Sequence, residues 1–246
     1  MPAPDVSGHR KLRLPFVGRE KEAAELLRLR AERKHVLLVG PEGVGKTALV
    51  RRVSDKVRLV ICAESVRMLG VCEALELGLG LAAQGQGLVQ RKNRILASLP
   101  GVDCTVVFDG VRWTTPKLNS FLGCVAERVP VWVVTRSEHS WDIGHFWTML
   151  ARFARVELKT FHPSETQEVI ERLVRANELP GVVLESVEAL HRLSGGNPRV
   201  LGELLEQLAR GGYDLHRRRG LRLLELDRQI AKLRCEPAGG AKEARG

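Results

Sequence analysis

A glycine-rich stretch is the first part of the sequence whose residue types and spacing could do chemistry. GPEGVGKT follows the apolar run HVLLV and leads into the helical pattern TALVRRV. Glycines allow such a loop to curl until its backbone N–H groups point at an anion, and the N-terminus of the next helix adds a positive end. The pattern G-x-x-x-x-G-K-T between a strand and a helix predicts a loop that binds nucleotide phosphates. The loop residues expected at the phosphates are Gly40, Pro41, Glu42, Gly43, Val44, Gly45, Lys46 and Thr47.

Two oxygen-bearing side chains have the chemistry to hold a metal ion beside this loop. The Thr47 hydroxyl is expected to ligate Mg²⁺, while Lys46 reaches the β- and γ-phosphates. Asp109 ends the apolar run CTVVFD, and a carboxylate there would hold the same Mg²⁺ through water. The alternative for Asp109 is an acid in an Asp-Gly turn. The sequence therefore predicts a nucleotide site with Thr47 and Asp109 as its metal-binding residues.

Apolar runs alternate with amphipathic segments up to about residue 161. Because the runs are apolar throughout, they suit a parallel sheet that is covered by helices on both faces. The expected strands are 35–40, 57–63, 104–110, 129–135 and 154–161. The expected helices lie at 45–55, within 65–98, at 115–128 and at 143–154. The pattern predicts an α/β fold of the P-loop NTPase type with a five-stranded parallel sheet, followed by a small all-helical lid.

The lid is expected to contain three helices. PSETQEVIERLVRANEL has a capping box that begins at Ser164, followed by apolar residues at helical spacing. VLESVEALHRLS predicts a second helix that ends at two glycines, and Asn197 with Pro198 can begin a third. The expected parts of the chain are a basic N-terminal tail at 1–14, an ATPase core at 15–161, the lid at 162–212, and a basic amphipathic helix with a disordered tail at 213–246.

The expected C-terminal helix has an apolar face. Leu223, Leu226, Ile230 and Leu233 are spaced so that they lie on one side of a helix. The segment is too short for a long coiled coil. We expect the segment to pack on its own domain or on a neighbouring subunit.

The charge balance indicates an anionic partner. Lys and Arg number 39 against 29 for Asp and Glu, which gives a formal charge of +10. Double-stranded DNA is the first candidate, with an acidic membrane surface or an acidic protein after it, and the alternative is a basic surface without a partner. Aromatic residues make up 4% of the chain, so stacking on single-stranded nucleic acid is not expected.

Other functional classes find little support in the sequence. No apolar run reaches the ~18 residues that a membrane span needs, and the N-terminus lacks the features of a secretory signal. The five cysteines are scattered without a C-x-x-C pair, which argues against a zinc site and a disulfide framework. A cytoplasmic protein with reduced thiols and no membrane partner is the expectation.

Four further motifs, in this order and spacing, make the chain resemble the AAA+ and STAND-type P-loop ATPases. Closest are the transposition-helper, secretion-type and origin-recognition groups, with NB-ARC-like switches next. FVGRE (16–20) resembles the segment that lines the adenine pocket, and VVTRS (133–137) resembles the sensor 1 strand. ELKTFHPSE (157–165) resembles the passage into the lid, and SGGNPRVL (194–201) resembles the lid motif with sensor 2.

The resemblance implies ATP and Mg²⁺ as ligands and assigns roles to further residues. Val17 and Gly18 would line the adenine pocket, and Pro198 would contact the base. Arg136 and Arg199 would approach the phosphates and, with Asp109, form the catalytic set. The alternative for Arg136 is an ion pair with a surface acid.

The resemblance also implies a homo-oligomer in the ATP state. Arg152 and Arg155 lie where such proteins carry an arginine that completes the site of the next subunit, and an arginine supplied in this way is worth ~10³-fold or more in rate. The sequence does not decide between the two.

One catalytic group of the family pattern is absent. The resemblance places a water-activating glutamate directly after Asp109, where this chain has Gly110. Glu64 and Glu42 are the substitutes considered, and neither is expected within reach of the attacking water. We therefore expect slow hydrolysis and a switch.

Three functional hypotheses remain. The first is a switch that assembles on duplex DNA in its ATP state and recruits or regulates another factor. The second is a STAND-like signalling switch that binds a partner protein without DNA. The third is a hydrolysing motor, which needs an acid that the sequence does not identify.

Overall fold

The computed structural model describes residues 12–63, 67–82, 87–210, 213 and 218–235. These residues form two compact units. The sheet unit is Gly18–Lys159, and the helical unit comprises the described residues of Met1–Val17 and Thr160–Gly246. None of the helices in the described ranges is long and apolar enough to cross a lipid bilayer.

The sheet unit has five parallel strands in the order β2-β3-β4-β1-β5. This confirms the predicted fold class and the number of strands. The strands are β1 Val36–Val39, β2 Leu59–Cys62, β3 Thr105–Phe108, β4 Val131–Thr135 and β5 Ala154–Glu157. The helices of this unit are α1 Glu20–Ala31, α2 Lys46–Ser54, α3 Met68–Leu79, α4 Leu88–Ser98, α5 Pro116–Ala126 and α6 Ser140–Ile143, followed by a 3₁₀ helix at His145–Arg152.

The three central strands bring the carboxyl ends of β1, β3 and β4 to one edge of the sheet. Every residue of these strands is buried, which agrees with their unbroken apolar sequences. Val39 of β1 lies beside Thr135 of β4, and Phe108 of β3 lies beside Val133. The loops that follow these strands therefore begin side by side, where parallel α/β sheets bind ligands.

The predicted helix at 143–154 is wrong in type and start. α6 ends at Ile143, Gly144 adopts φ +64°, and a 3₁₀ helix follows. Gly144 forms a bridge with Thr114, and a Cβ on Gly144 would lie 2.6 Å from the backbone N and O of Thr114. This close approach of two backbones interrupts the helix, and only glycine fits it.

The helical unit contains the three helices expected for the lid and the C-terminal helix. Their bounds are α7 Pro163–Arg175, a 3₁₀ helix at Gly181–Ser186, α8 Val187–Ser194, α9 Pro198–Ala209 and α10 Arg218–Cys235. The capping box of α7 lies two residues earlier than predicted at Ser164. His162 is the N-cap, and its backbone N–H donates to the Glu165 carboxylate at 2.6 Å. The start of α9 is as predicted, since the Asn197 side chain accepts from the Arg199 N–H at 3.0 Å.

α10 packs on the helical unit, but its predicted apolar face is about half exposed. Leu223, Leu226 and Ile230 are 48%, 54% and 45% exposed, whereas the neighbouring Leu224 is fully buried in the core of the helical unit. The side chain of Leu233 lies outside the described residues. α10 therefore packs on its own unit through Leu224, and a neighbouring subunit for the half-exposed face stays a prediction.

A buried carboxylate joins α3 to α4 in the sheet unit. The Glu76 side chain is 4% exposed and accepts hydrogen bonds from Arg91 and Arg94, with Nη2 atoms of both arginines 2.5 Å from its oxygens. The hydrogen bond from Arg91 is the main reason that the pKa of Glu76 lies below its ordinary value. Because the folded state lowers this pKa, the ion pairs stabilise the fold above pH ~4.3, and the contribution is lost as the pH falls through the lowered value.

Glu76→Gln is expected to lower the free energy of unfolding by about 2 kcal/mol at neutral pH, because two arginines lose a buried anionic partner. Urea denaturation at neutral pH and near pH 3 measures this, and the difference from the wild type should shrink in acid. Glu73→Gln is the matched control on the same helix. Its side chain is 59% exposed and lies 3.7 Å from Arg91, so a change below ~0.5 kcal/mol is expected. An equal effect of the two substitutions would contradict the prediction.

Candidate functional site

The glycine-rich loop curls between β1 and α2 because two of its glycines adopt left-handed conformations. Gly43 has φ +80° and Gly45, the N-cap of α2, has φ +101°. Gly40 begins the loop so close to the segment after β5 that a Cβ there would lie 2.3 Å from the Leu158 carbonyl oxygen. The loop thus has the backbone geometry of a phosphate cradle, with the N-terminus of α2 at its end.

The Lys46 ammonium lies over this loop. Its Nζ donates to the carbonyl oxygens of Gly40 at 2.6 Å and Pro41 at 2.8 Å. Burial lowers the pKa of Lys46, while the carboxylates of Asp109 and Glu42 act in the opposite direction. A cation held in this way can exchange its carbonyl partners for phosphate oxygens without leaving the loop.

Thr47 and Asp109 meet at the edge of the sheet. The Thr47 hydroxyl donates to Oδ2 of Asp109 at 2.7 Å, and Asp109 is buried. A hydroxyl and a carboxylate side by side are hard oxygen ligands of the kind that Mg²⁺ prefers. The residues present therefore fit the expected metal ion, and their role as its ligands stays a prediction.

A cavity of about 280 Å³ lies at this edge of the sheet. It is lined by residues from the glycine-rich loop, from the segment after β3 and from the end of β4. They are Glu42, Gly43, Gly45, Lys46, Thr47, Ala48, Asp109, Gly110, Val111, Arg112, Val134, Thr135 and Arg136. The structure thus brings the predicted phosphate and metal residues together with Arg136 around one cavity.

Arg136 lines the cavity while its guanidinium is held by a buried acid. Its Nε donates to both carboxylate oxygens of Asp142 at 2.8 Å, and Nη2 lies 2.5 Å from Oδ1. The hydrogen bond from Arg136 is the main reason that the pKa of Asp142 lies below its ordinary value. The acid pairing weighed as an alternative in the sequence is present, although Asp142 is a buried acid rather than a surface one. A γ-phosphate would have to share Arg136 with this carboxylate, so a phosphate role stays a prediction.

Two polar cavity residues, Thr135 and Arg112, were missed by the sequence reasoning. Thr135 is buried at the end of β4, and its hydroxyl donates to the Ser137 carbonyl at 2.9 Å. It is the polar residue of VVTRS that precedes Arg136, so the motif itself carried the signal. Arg112 lies 3.6 Å from Glu42 in an exposed ion pair across the cavity mouth, and no motif pointed to it.

Gly110 departs from the line of β3 in a left-handed conformation, with φ +68°. The next residue, Val111, donates from its backbone N–H to the Val134 carbonyl at 3.0 Å, which turns the chain across β4. Among the described residues that line the cavity, the acids are Glu42 and Asp109. Glu64, the other acid considered from the sequence, lies outside the described residues.

The segment FVGRE passes from the helical unit to the sheet unit. Val17 is buried in the core of the helical unit, and Gly18 has φ +67°. Arg19 is buried in the sheet unit, where its Nη2 donates to the Lys159 carbonyl at 2.7 Å. The adenine-binding roles of Val17 and Gly18 stay predictions.

Pro198 and Arg199 belong to the helical unit. Pro198 is buried at the first position of α9, while Arg199 is exposed and lies 3.4 Å from Glu203 on the same helix. Gly196, with φ +67°, accepts from the Phe161 N–H at 2.7 Å, and a Cβ there would lie 2.4 Å from the Phe161 oxygen. This fixes the start of the SGGNPR motif against the segment that follows β5.

The two arginines considered for a neighbouring subunit differ in their surroundings. Arg152 is exposed at the end of the 3₁₀ helix, and its charge lowers the pKa of His35, although burial of the ring is the larger cause. Arg155 lies on β5 and forms ion pairs with Glu138 at 2.5 Å and Glu157 at 3.1 Å. A role in trans stays a prediction for both.

Several solved structures are similar to this chain in fold. The Orc1 protein of Aeropyrum pernix, solved in complex with DNA, superimposes with a TM-score of 0.64 at 16% identity over 90% of this chain and 67% of that chain. The chain therefore has the α/β fold of P-loop NTPases.

Two further structures with this P-loop ATPase fold are similar. The Walker-type ATPase of Pyrococcus abyssi gives a TM-score of 0.58 at 18% identity, over 89% of this chain and 76% of that chain. A STAND protein of Pyrococcus horikoshii with a tetratricopeptide repeat sensor gives 0.53 at 16% identity, over 83% of this chain and 31% of that chain. No family model matches the sequence, and no curated protein matches it by sequence.

Proposed function

We propose that the protein is an ATP-binding switch that hydrolyses ATP slowly and assembles on double-stranded DNA in its ATP state. The observation that supports it most directly is the Thr47–Asp109 pair, 2.7 Å apart beside the glycine-rich loop and Lys46. A hydroxyl, a carboxylate and an ammonium at one P-loop are the groups that hold a nucleoside triphosphate with Mg²⁺.

Different residues would bind the phosphates, the metal ion and the adenine of ATP. Backbone N–H groups of the loop would cradle the phosphates, and Lys46 would move from its carbonyl partners to the β- and γ-phosphates. Thr47 and Asp109 would hold Mg²⁺, which neutralises phosphate charge when bound. Val17, Gly18 and Pro198 would contact the adenine, and Arg136 and Arg199 would sense the γ-phosphate.

Slow hydrolysis follows from the acids present at the cavity. Asp109 accepts the Thr47 hydroxyl, and Glu42 is exposed and pairs with Arg112. The position after Asp109, where a base is expected, is occupied by glycine. Loss of a positioned general base costs typically 10²–10⁴-fold in rate, so bound ATP would persist.

Gly110→Glu is expected to leave the rate of phosphate release within about threefold of the wild type, because the carboxylate would begin from a left-handed backbone outside the line of β3. A side chain at this φ costs roughly 1–2 kcal/mol of stability. Colorimetric phosphate release and urea denaturation measure the two effects. Gly110→Ala is the control that carries the same backbone strain without an acid. A hundredfold rise in turnover in Gly110→Glu alone would show that a carboxylate at position 110 reaches the attacking water, and this would contradict the expected geometry.

DNA binding is supported by charge and by one structural relative. The formal charge of +10 favours phosphate contacts, which need no base-reading module, and the Orc1 relative was solved with DNA. In this proposal ATP-bound subunits form a homo-oligomer on the duplex, to which Arg152 or Arg155 contributes in trans, and the assembly recruits a protein effector.

Fluorescence anisotropy of a labelled random-sequence duplex tests the proposal. It is run without nucleotide, with ADP and with a slowly hydrolysed ATP analogue, at two salt concentrations. Tight binding is expected with the analogue alone, weakened by salt and lost in Lys46→Ala. Equal binding in all three nucleotide states would contradict the switch, and an absence of binding would contradict the DNA partner.

A STAND-like protein-interaction switch is the second candidate. The exposed face formed by Leu223, Leu226 and Ile230 on α10 favours a protein partner, because helices present apolar stripes of this kind to hydrophobic grooves. This candidate predicts ATP binding with no nucleotide-dependent affinity for the duplex.

A further inference from the structure

Three of the four tryptophans of the chain are on its surface. Trp113, Trp141 and Trp147 are 65%, 68% and 56% exposed, whereas Trp132 is 1% exposed in β4. Indole rings are large and apolar, and exposed tryptophans of this kind are typical of binding surfaces.

The backbone brings the three tryptophans onto two adjoining segments. The Trp113 N–H donates to the Asp142 carbonyl at 2.8 Å, directly beside Trp141, and the Trp147 N–H donates to the Gly144 carbonyl at 3.2 Å. Thr114 bridges Gly144 in turn. Trp113, Trp141 and Trp147 are called the tryptophan surface below.

The backbone conformation of Trp113 indicates that this tryptophan serves binding rather than the stability of the fold. It has φ +44°, a left-handed conformation that is an outlier for a bulky residue. Its exposed ring gains little from packing, so core stability does not account for a tryptophan at this position. Unfavourable backbone conformations of this kind are typical of ligand-binding segments.

The acids near the tryptophan surface are in ion pairs, and two exposed cations lie on the segment of Trp113. Both acids of these segments are neutralised, since Glu138 pairs with Arg155 and Asp142 pairs with Arg136. The cations are Lys117 and Arg112, and Arg112 lies 3.6 Å from Glu42 in an exposed ion pair that a phosphate would have to displace.

One ring of the surface already carries a flat partner. The imidazole of His139 stacks on Trp141 with ring centroids 4.2 Å apart and an interplanar angle of 8°. The stack shows that a planar ring lies flat on one face of this exposed indole, and a base would have to replace His139 or lie on the opposite face.

We propose that the tryptophan surface binds single-stranded nucleic acid, with bases stacked on the indoles and phosphates beside Arg112 and Lys117. Rings and cations together match the alternation of bases and phosphates in a single strand. This departs from the expectation drawn from the low aromatic content, because three of the four tryptophans are exposed on adjoining segments. In a duplex the bases are stacked on one another and their faces are closed to the protein. Binding of a single strand at this surface needs no nucleotide, although Arg112 also lines the nucleotide cavity.

Anisotropy of a labelled 20-nucleotide oligo-dT, measured without nucleotide, tests the inference against an abasic strand of equal length. Trp113→Leu and Trp141→Leu keep apolar bulk but remove the ring, and each is expected to weaken oligo-dT binding about tenfold. Leu77→Ala, at an exposed apolar residue on α3, is the control and should bind as the wild type. Trp141→Phe should recover most of the affinity, which separates stacking from a general disturbance of the fold.

Two results would overturn the proposal. Equal affinity for oligo-dT and the abasic strand would reduce the interaction to charge alone. Unchanged oligo-dT affinity in both leucine variants would assign the exposed indoles to a protein partner or a second copy of this chain. Because no nucleotide is present, either failure leaves the ATP-dependent duplex assay unaffected.

Discussion

Lys46→Ala is expected to raise the dissociation constant for ATP at least about 100-fold. The ammonium is held at the glycine-rich loop by the carbonyls of Gly40 and Pro41, so its charge is in place before a phosphate arrives. Two charge-assisted hydrogen bonds to phosphate, at ~1.5–3 kcal/mol each, correspond to a hundredfold or more. Titration of a fluorescent ATP analogue with Mg²⁺ measures the change.

Lys56→Ala is the matched control for Lys46→Ala. Lys56 is exposed just after α2, and its loss removes one positive charge from the same unit without touching the loop. ATP affinity should stay within about twofold of the wild type. If both alanine variants bound ATP equally well, the loop would not be the phosphate site.

Gly40→Ala is expected to lower the free energy of unfolding by about 3 kcal/mol. Its Cβ would lie 2.3 Å from the Leu158 carbonyl oxygen and 3.2 Å from the Leu158 carbonyl carbon, and neither backbone atom can turn away as a side chain would. Forcing a methyl group into such a contact shifts backbone on both sides and costs ~1–3 kcal/mol or more. Urea denaturation followed by circular dichroism measures the loss, and ATP affinity should fall with it.

Gly123→Ala is the control, and it is expected to change the free energy of unfolding in the opposite direction. Gly123 lies inside α5, and the nearest atoms to its Cβ are those of Met149 at 3.8 and 3.9 Å, an ordinary contact. Alanine in a helix interior should raise the free energy of unfolding by ~0.5–1 kcal/mol. A similar response to both substitutions would mean that the crowding at Gly40 does not limit stability.

The sequence predicted the sheet and the meeting of Thr47 with Asp109, because both follow from apolar runs and from parallel topology. When strands are parallel, the loops after β1 and β3 must open at the same edge, whatever the intervening helices do. Thr47 and Asp109 could therefore be paired before any coordinates were known.

Other features depend on contacts between residues that are distant in sequence. The interruption of the helix at Gly144 arises from the backbone of Thr114. The apolar pattern of 143–154 cannot predict this contact, because Thr114 is distant in sequence. The Arg136–Asp142 pair likewise forms only because α6 turns back toward the end of β4. The sequence analysis did not predict α1. Its buried residues are Leu26 and Leu29, and they lie in a highly charged segment that does not resemble the apolar pattern of a core helix.

The distribution of aromatic residues gives each unit its own optical signal. All four tryptophans lie in Gly18–Lys159, and the single tyrosine, Tyr213, lies in the helical unit, where its hydroxyl donates to Asp227 at 2.8 Å. Because Trp132 is the buried indole, it should dominate the shift in emission when the sheet unfolds. The near-ultraviolet signal of the Tyr213 phenol instead reports the unfolding of the helical unit. A single denaturation experiment thus reads the two units separately, and coincident transitions would show that they unfold as one cooperative body.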